Sequence, residues 1–349
     1  MNHQRWQVGN SFSYRRPEWL ALEDKTVADE LWEMAHVPHA PSAVVPIDKE
    51  LVLAAIRDLD VGEGTVWSSD AKEGFQGGAE GTRWIRTQAD IDEAITFYRG
   101  FCDRIRIMPF LEGIPCSIHG IVFDDYVAAL RPVEMVVLRQ PGSSKFFYAG
   151  TSTLWDPNPK DREEMRDMAK RLGETLRNQV NYRGVFTLDG VVTTDGFRPT
   201  EINPRLGAGV IPLTSNLPQV PFQLLIGALS AGMKLDYRPQ ELEELLIKTA
   251  DENRFGGTWR AISDKLETVD NKPLVLESDD WRWVKDGETP DATVVAGTNP
   301  MGGFVRLTLD SKRVPAGQSV GPLARSFWRF VDDAMGGHVG PLETAKSVR

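Results

Sequence analysis

The amino-acid sequence predicts an α+β protein, because amphipathic helices and runs of consecutive apolar strands share the chain. Helical periodicity is clearest at 159–178, where four apolar side chains fall on one face. A block of apolar strands precedes that helix, at 117–123, 127–130, 134–138 and 145–149. The length of 349 residues exceeds the usual size of one hydrophobic core, so two or three packed units are expected.

The other elements complete this mixed pattern. Asp24 is a plausible N-cap for the first long helix, and the stretch beyond about 240 is interpreted as a β-rich tail that ends in a helix. Helices are expected at 24–34, 48–59, 90–98, 221–233, 241–248 and 322–335, and strands at 65–67, 82–85, 105–108, 184–188, 198–202, 274–276, 281–284, 293–295 and 304–309.

The composition favours a soluble, cytoplasmic protein. The net charge of −10 disfavours binding to nucleic acid or to an anionic membrane. The N-terminus lacks a signal-like apolar core, and the most apolar stretch, 220–233, is too short to cross a bilayer. Cys102 and Cys116, the two cysteines, are expected to be reduced thiols. Homodimer formation is left open.

Candidate metal ligands cluster in the strand pair around the predicted turn at 194–196. Side chains alternate along a strand, so Glu201 and Asn203 point to one face, about 6.5 Å apart. Asp189 follows the preceding strand and can face them across the hairpin. Two carboxylates and an amide oxygen form a hard donor set that suits Mg²⁺, or Mn²⁺ in its place. Arg205 can contact phosphate in the same region; the alternative is a polar hairpin at the surface.

The segment 184–209, with these four side chains in this order, resembles the closing strands of the ATP-grasp superfamily. The resemblance implies a fold in which two α+β subdomains grip ATP. It also implies that Asp189, Glu201 and Asn203 bind the catalytic metal ions and that Arg205 contacts phosphate or the reaction intermediate.

The resemblance extends upstream and covers about 24–235. Lys25 is similar to a lysine of the family that approaches the ATP phosphates. The glycine-rich stretch 74–81 stands where the family has its phosphate flap, since bare backbone N–H groups can approach phosphates closely; an ordinary hairpin is the alternative. The segment 107–113 is similar to the hinge strand that binds adenine. The cofactor-binding residues implied are Lys25, Lys72, Gly74, Gly77, Gly78, Pro109, Phe110, Leu111 and Glu112.

Two positions depart from the family pattern. The strand before the glycines carries Val66 to Ser69 where the family has a lysine, and Lys72 is the candidate substitute. The stretch after the hinge lacks the usual ribose-binding glutamate, for which Glu112 is the stand-in.

The resemblance also implies four segments. A remnant of an N-terminal segment (1–37) precedes the small subdomain with its glycine-rich loop and hinge (38–113). The large subdomain with the metal site (114–238) and a β-rich C-terminal extension (239–349) follow. The first segment is short for the family. Three explanations stay open: the chain is a fragment, it is a shortened member of the family, or a partner completes it. The extension is expected to cover the acceptor side of the cleft, to mediate dimerisation or simply to add packing.

Three further side chains allow two interpretations each. Arg131 is a candidate catalytic residue that stabilises charge on the γ-phosphate, with a salt bridge on the sheet as the alternative. For Arg139 the salt bridge is the preferred interpretation. His119 lies in an apolar strand and is interpreted as a partnered core histidine rather than a base.

The implied reaction is that of an enzyme, an ATP-dependent and ADP-forming ligase that joins a carboxylate to an amine through an acylphosphate. The stretches 130–135, 146–150 and 197–205 are most similar to bacterial carboxylate–amine (peptide) ligases of the pheganomycin ligase type. Two alternatives use the same metal triad: a small-molecule kinase and a non-catalytic nucleotide-binding regulatory module.

Overall fold

The computed structural model describes residues 16–70, 79–300 and 302–346, which form three antiparallel sheets. Two 3₁₀ turns, Pro17–Glu23 and Lys25–Val27, lead into the first helix. The first sheet and its helices are α1 (Ala28–Met34), β1 (Ala43–Pro46), α2 (Lys49–Leu59), β2 (Thr65–Ser69), β3 (Thr82–Ile85), α3 (Gln88–Tyr98) and β4 (Arg104–Pro109).

The first sheet has the strand order β1-β4-β2-β3. Helices α2 and α3 pack on it and bury Val52 and Tyr98 in one apolar cluster with Trp67. The Asp48 side chain accepts hydrogen bonds from the N–H groups of Glu50 and Leu51 and so fixes the start of α2.

The second sheet is the largest and holds most of the predicted site residues. Its order is β10-β9-β5-β7-β8, with β6 paired to β5. Its elements are β5 (Ile114–Val122), β6 (Val127–Ala129), β7 (Val133–Arg139), β8 (Phe146–Ser152), α4 (Pro159–Val180), β9 (Gly184–Thr193), β10 (Gly196–Asn203), α5 (Val210–Thr214), α6 (Phe222–Ser230) and α7 (Pro239–Glu252).

Helix α4 confirms the periodicity that predicted it. Met165 and Leu172 are fully buried on the face that packs against Ile118 and Phe186 of the sheet. The Asn158 side chain caps the first turn, and Asn181 ends the helix in the left-handed conformation. Burying this face of α4 leaves the opposite face of the sheet free to line a cleft.

The third sheet confirms a β-rich C-terminal region. Its order is β11-β15-β14-β12-β13, and one long helix covers it. Among the described residues, no helix is long and apolar enough to cross a membrane. The elements are β11 (Gly257–Ile262), β12 (Val269–Glu277), β13 (Asp280–Trp283), β14 (Ala292–Asn299), β15 (Gly302–Leu309) and α8 (Gly321–Met335).

The structure corrects several expected elements. The helix expected from Asp24 begins with a 3₁₀ turn and becomes α-helical only at Ala28. Strand β1 is not among the expected strands; it is a short edge strand of the first sheet with no periodic signal of its own. Strand β11 was not expected at all, and it pairs with β15 about forty residues further along the chain.

A buried carboxylate connects the second sheet to the segment just before α8. Glu134 of β7 is 2% exposed, and it accepts hydrogen bonds from Ser319 Oγ at 2.5 Å and from the Val320 N–H at 2.9 Å. Burial disfavours the charged form and raises the pKa of Glu134 to about 7, although these donors partly offset the effect.

We therefore expect Glu134→Gln to change the pH dependence of stability. The folded pKa lies above the unfolded value, so the stability linked to protonation is present below about pH 4.5 and is lost as the pH rises through about 7. The stability of the parent chain relative to the Gln variant should fall by about 3 kcal/mol over this window. Urea unfolding from about pH 5 to pH 8 measures the difference. Parallel pH profiles would contradict the assignment, and the exposed Glu241→Gln is the control.

Candidate active site

A cleft of about 430 Å³ lies between the inner faces of the first and second sheets. Strands β2, β3 and β4 supply one wall, and β5, β7, β8, β9 and β10 supply the other. The segment after β4 crosses between the two walls. This volume is in the range of pockets that hold drug-sized ligands.

The crossing segment is a tight connection at an apolar end of the cleft. Gly113 has φ +153°, and a Cβ there would lie 2.1 Å from the Val192 carbonyl oxygen, so only glycine fits. Phe110 is nearly buried and stacks on Trp84, with ring centroids 4.2 Å apart. The predicted Pro109, Phe110 and Leu111 all line the cleft here.

The three predicted metal ligands lie together on β9 and β10. Glu201 is directly opposite Asp189, because a β-bulge shifts the register between Pro199 and Glu201. The Asn203 side-chain amide donates to Asp189 Oδ2 at 2.8 Å and to Glu201 Oε1 at 3.4 Å. Ser117 Oγ on the neighbouring strand donates to Asp189 Oδ1 at 2.5 Å.

Lys25 supplies the positive charge closest to this pair. Its Nζ lies 2.7 Å from Glu201 Oε2 and 3.3 Å from Thr82 Oγ1 on β3. The Asp24 carboxylate accepts from the Thr26 N–H and fixes the turn that carries Lys25. The ammonium group therefore connects the segment before α1, the first sheet and the second sheet.

The electrostatics of the two carboxylates differ although they are adjacent. Burial and the negative charge of Glu201 raise the pKa of Asp189 to about 7. Burial also opposes ionisation of Glu201, but the ammonium group of Lys25 outweighs it and lowers the pKa of that carboxyl. The pair thus carries negative charge at a position where Asp189 is buried and Glu201 half-buried, and a further cation is favoured there.

The donor set fits a hard divalent cation. Asp189 and Glu201 offer carboxylate oxygens, and rotating the Asn203 amide by half a turn directs its oxygen to the same point. Among the described residues, no three histidine, cysteine or carboxylate side chains cluster as a metal site. A cation here would therefore need oxygen ligands from phosphate and water, as Mg²⁺ commonly does.

Arg205 lines the cleft as expected. Its guanidinium lies 3.3 Å from Glu23 Oε1 and donates to Asn203 Oδ1 at 3.1 Å. The position at the end of β10 keeps it next to the carboxylates.

Arg131 corrects an expectation, because it does not line the cleft. It is 1% exposed and donates to the carbonyl oxygens of Thr153 and Trp155 and to Asp156 Oδ1. Asp251 lies 3.4 Å from it on the same side. These partners lie on the connection that follows β8 and in the last turn of α7, so Arg131 joins these chain segments and is not among the residues that line the cleft.

Arg139 confirms the salt-bridge interpretation. It pairs with both carboxylate oxygens of Glu112, at 2.5 and 2.9 Å, and the Lys346 N–H also donates to Glu112. Glu112 therefore ties the hinge to β7 and to the C-terminal segment and is not among the lining residues. Its contact with ribose stays a prediction.

His119 is buried and partnered, as interpreted. Its Nδ1 lies 2.9 Å from Thr187 Oγ1, and burial lowers the pKa of the imidazole to about 3. A neutral ring that lines the cleft contributes shape and hydrogen bonding rather than charge.

The predicted Lys72, Gly74, Gly77 and Gly78 lie outside the described residues. The sequence analysis missed other lining residues, namely Ser68, Thr82, Ser117, Tyr148 and Trp259. Strand alternation could have found Ser117, since it faces Asp189 across β5 and β9. No comparable signal existed for Trp259, whose strand was itself unexpected.

Comparison with known proteins adds evidence at the level of structure. No protein-family model and no curated protein matches the sequence. Among solved structures, the biotin carboxylase domain of the 2-oxoglutarate carboxylase of Hydrogenobacter thermophilus, bound to MgADP, ADP and bicarbonate, superposes with a TM-score of 0.53 at 15% identity. The match covers 83% of this chain and 62% of that domain.

PurK, an N5-carboxyaminoimidazole ribonucleotide synthetase bound to ADP, superposes with a TM-score of 0.51 at 14% identity. The match covers 83% of this chain and 68% of the synthetase. Identities this low show the fold alone. Both proteins have the ATP-grasp fold, and the chain therefore has that fold.

Proposed function

We propose that this chain is an ATP-dependent, ADP-forming ligase that joins a carboxylate to an amine through an acylphosphate. The observation that carries the proposal is the adjacent pair of buried Asp189 and half-buried Glu201, which faces Lys25 inside a cleft of the ATP-grasp fold. One ammonium group balances only one of two carboxylates, so a pair of this kind at a cleft wall favours a further cation.

The cleft has two ends that suit the two parts of ATP. At the hinge, Met108, Phe110 and Leu111 provide apolar contacts for an adenine. At the other end, Lys25 and Arg205 supply positive charge for phosphates. An ATP molecule laid along the cleft would place its phosphates beside Asp189 and Glu201.

Asp189, Glu201 and Asn203 would hold the magnesium ions. Bound there, the ions would neutralise phosphate charge and orient the oxygens of the transferred phosphoryl group. The protein's own groups position them: Ser117 fixes Asp189, and Lys25 keeps Glu201 ionised.

The proposed reaction requires positioning rather than a protein nucleophile. A substrate carboxylate oxygen attacks the γ-phosphorus and ADP leaves; the amine then attacks the acyl carbon, phosphate leaves and a proton is released. The cysteines fit this scheme, because Cys102 and Cys116 are both buried and burial raises the pKa of the Cys116 thiol well above its usual range. The chain's contribution is to bind, align and exclude water.

The resemblance of 130–135, 146–150 and 197–205 to peptide ligases supports an amino acid or peptide as substrate. A kinase would use the same site but would stop at a phosphorylated product. Hydroxylamine separates the two, since it traps an acylphosphate as a hydroxamate.

We expect Glu201→Gln and Asn203→Ala each to reduce ADP release from Mg·ATP at least a hundredfold. Each substitution removes a ligand of the magnesium ions, and these ions would balance the charge that develops during phosphoryl transfer. The assay offers pools of amino acids and short peptides as acid and amine. Glu241→Gln on the outer surface of α7 is the matched control. Full activity in either site variant, with the fold intact, would exclude the proposed metal site.

Lys25→Met should raise the KM for ATP about tenfold or more, because a charge-assisted contact to phosphate is lost. Lys25→Arg should retain much of the affinity, since it keeps the charge. Initial rates at varied ATP measure both. An unchanged KM in Lys25→Met would restrict Lys25 to its contact with Glu201.

A further inference from the structure

The third sheet contributes one residue of β11 to the cleft. Thr258 Oγ1 donates to the Ala149 carbonyl at 2.7 Å, and Arg260 Nη1 donates to the Tyr148 carbonyl at 2.7 Å. These two bonds attach β11 to β8. Trp259, between them, points the other way along the alternating strand and lines the cleft.

The indole of Trp259 is held in place by its neighbours on β8. Gly150 has φ +105°, and a Cβ at that position would lie 2.7 Å from the indole ring. A residue with a side chain would therefore displace Trp259. The Tyr148 ring meets the indole edge-to-face, with centroids 6.1 Å apart and an interplanar angle of 89°. Two rigid aromatic rings thus form one side of the cleft.

Apolar side chains adjoin these rings. Met135 and Val137 of β7 line the adjacent floor. The charged lining residues are otherwise engaged: Lys25 contacts Glu201, Arg205 contacts Glu23, and Arg139 pairs with Glu112.

Arg260 is directed onto the face of Phe147, 4.4 Å from its centroid, and is not among the lining residues. Burial and the charge of Asp189 raise the pKa of Tyr148, so its hydroxyl stays neutral. Among the described residues, the cationic side chains that line the cleft are therefore already paired, and this wall favours an uncharged substrate side chain.

We propose that Tyr148 and Trp259 form the subsite for the side chain of the amino acid or peptide substrate, and that this subsite selects an aromatic side chain. The inference rests on the proposed ligase function and adds the substrate class. The wall lies within the same cleft as the carboxylates, so a substrate whose reacting group is beside the phosphates can extend its side chain onto the two rings. Aromatic side chains gain edge and face contacts there in addition to apolar burial.

The test measures kcat/KM of the full chain in ADP release. Phenylalanine, tyrosine and tryptophan, free and as the first or second residue of dipeptides, are compared with the alanine, aspartate and lysine counterparts. We expect the aromatic substrates to be preferred at least tenfold. Trp259→Ala should lower kcat/KM for the aromatic substrates at least tenfold, mainly through KM, and should leave both the alanine substrates and the KM for ATP within about twofold.

Trp283→Leu is the matched control. Trp283 belongs to the same third sheet and packs edge-to-face on Phe330, 5.0 Å between centroids, but it does not line the cleft. It should leave the preference unchanged. Tyr148→Ala provides a second variant from the other side of the pair, should Trp259→Ala fail to fold.

The outcomes separate the subsite from the ligase itself. Absence of ADP release with every substrate would overturn the proposed function and the subsite with it. ADP release with equal efficiency on alanine and phenylalanine substrates would overturn the subsite alone. The subsite would also be overturned if Trp259→Ala kept the preference for aromatic substrates. It would likewise be overturned if Trp259→Ala raised the KM for ATP equally with all substrates, because the two rings would then contact the nucleotide.

Discussion

The contact between Lys25 and the carboxylates of Glu201 and Asp189 is the interaction on which the site depends. Two acidic groups at a buried position cost several kcal/mol each unless positive charge and hydrogen bonds compensate. Here the compensation comes from separate parts of the chain, the segment before α1 for Lys25 and the neighbouring strands for Ser117 and Asn203. The charge on the two carboxylates therefore depends on how these segments are positioned relative to one another.

Arg106 of the first sheet reinforces that arrangement. It is 1% exposed on β4, pairs with Asp29 of α1 at 2.6 Å and donates to the Thr200 carbonyl at 3.1 Å. Thr200 is the residue at the bulge that brings Glu201 opposite Asp189. One buried guanidinium therefore connects the first sheet to the β-bulge of the second sheet, and a rigid connection of this kind holds Glu201 opposite Asp189.

The sequence was sufficient where local rules determine the geometry. Alternation along β10 placed Glu201 and Asn203 on one face, and helical spacing located α4. Sequence rules could not place Arg131, because its partners Asp156 and Asp251 lie far along the chain and only the tertiary fold brings them together. The bulge at Thr200 and the strand β11 were missed for the same reason, since both depend on pairing with distant segments.

The C-terminal region, with the third sheet and the segment after α8, contributes more than packing to this cleft. Glu112 of the hinge accepts from the Lys346 N–H, Ala345 lines the cleft and Glu343 forms a backbone bridge with Arg139. Together with Trp259, these contacts place the C-terminal region at both the hinge and the outer wall. The first two sheets carry the charged side chains of the cleft, and the third sheet adds the aromatic side chain of Trp259. On the proposed ligase function, changes in the C-terminal region would alter the choice of substrate and leave the carboxylate pair intact.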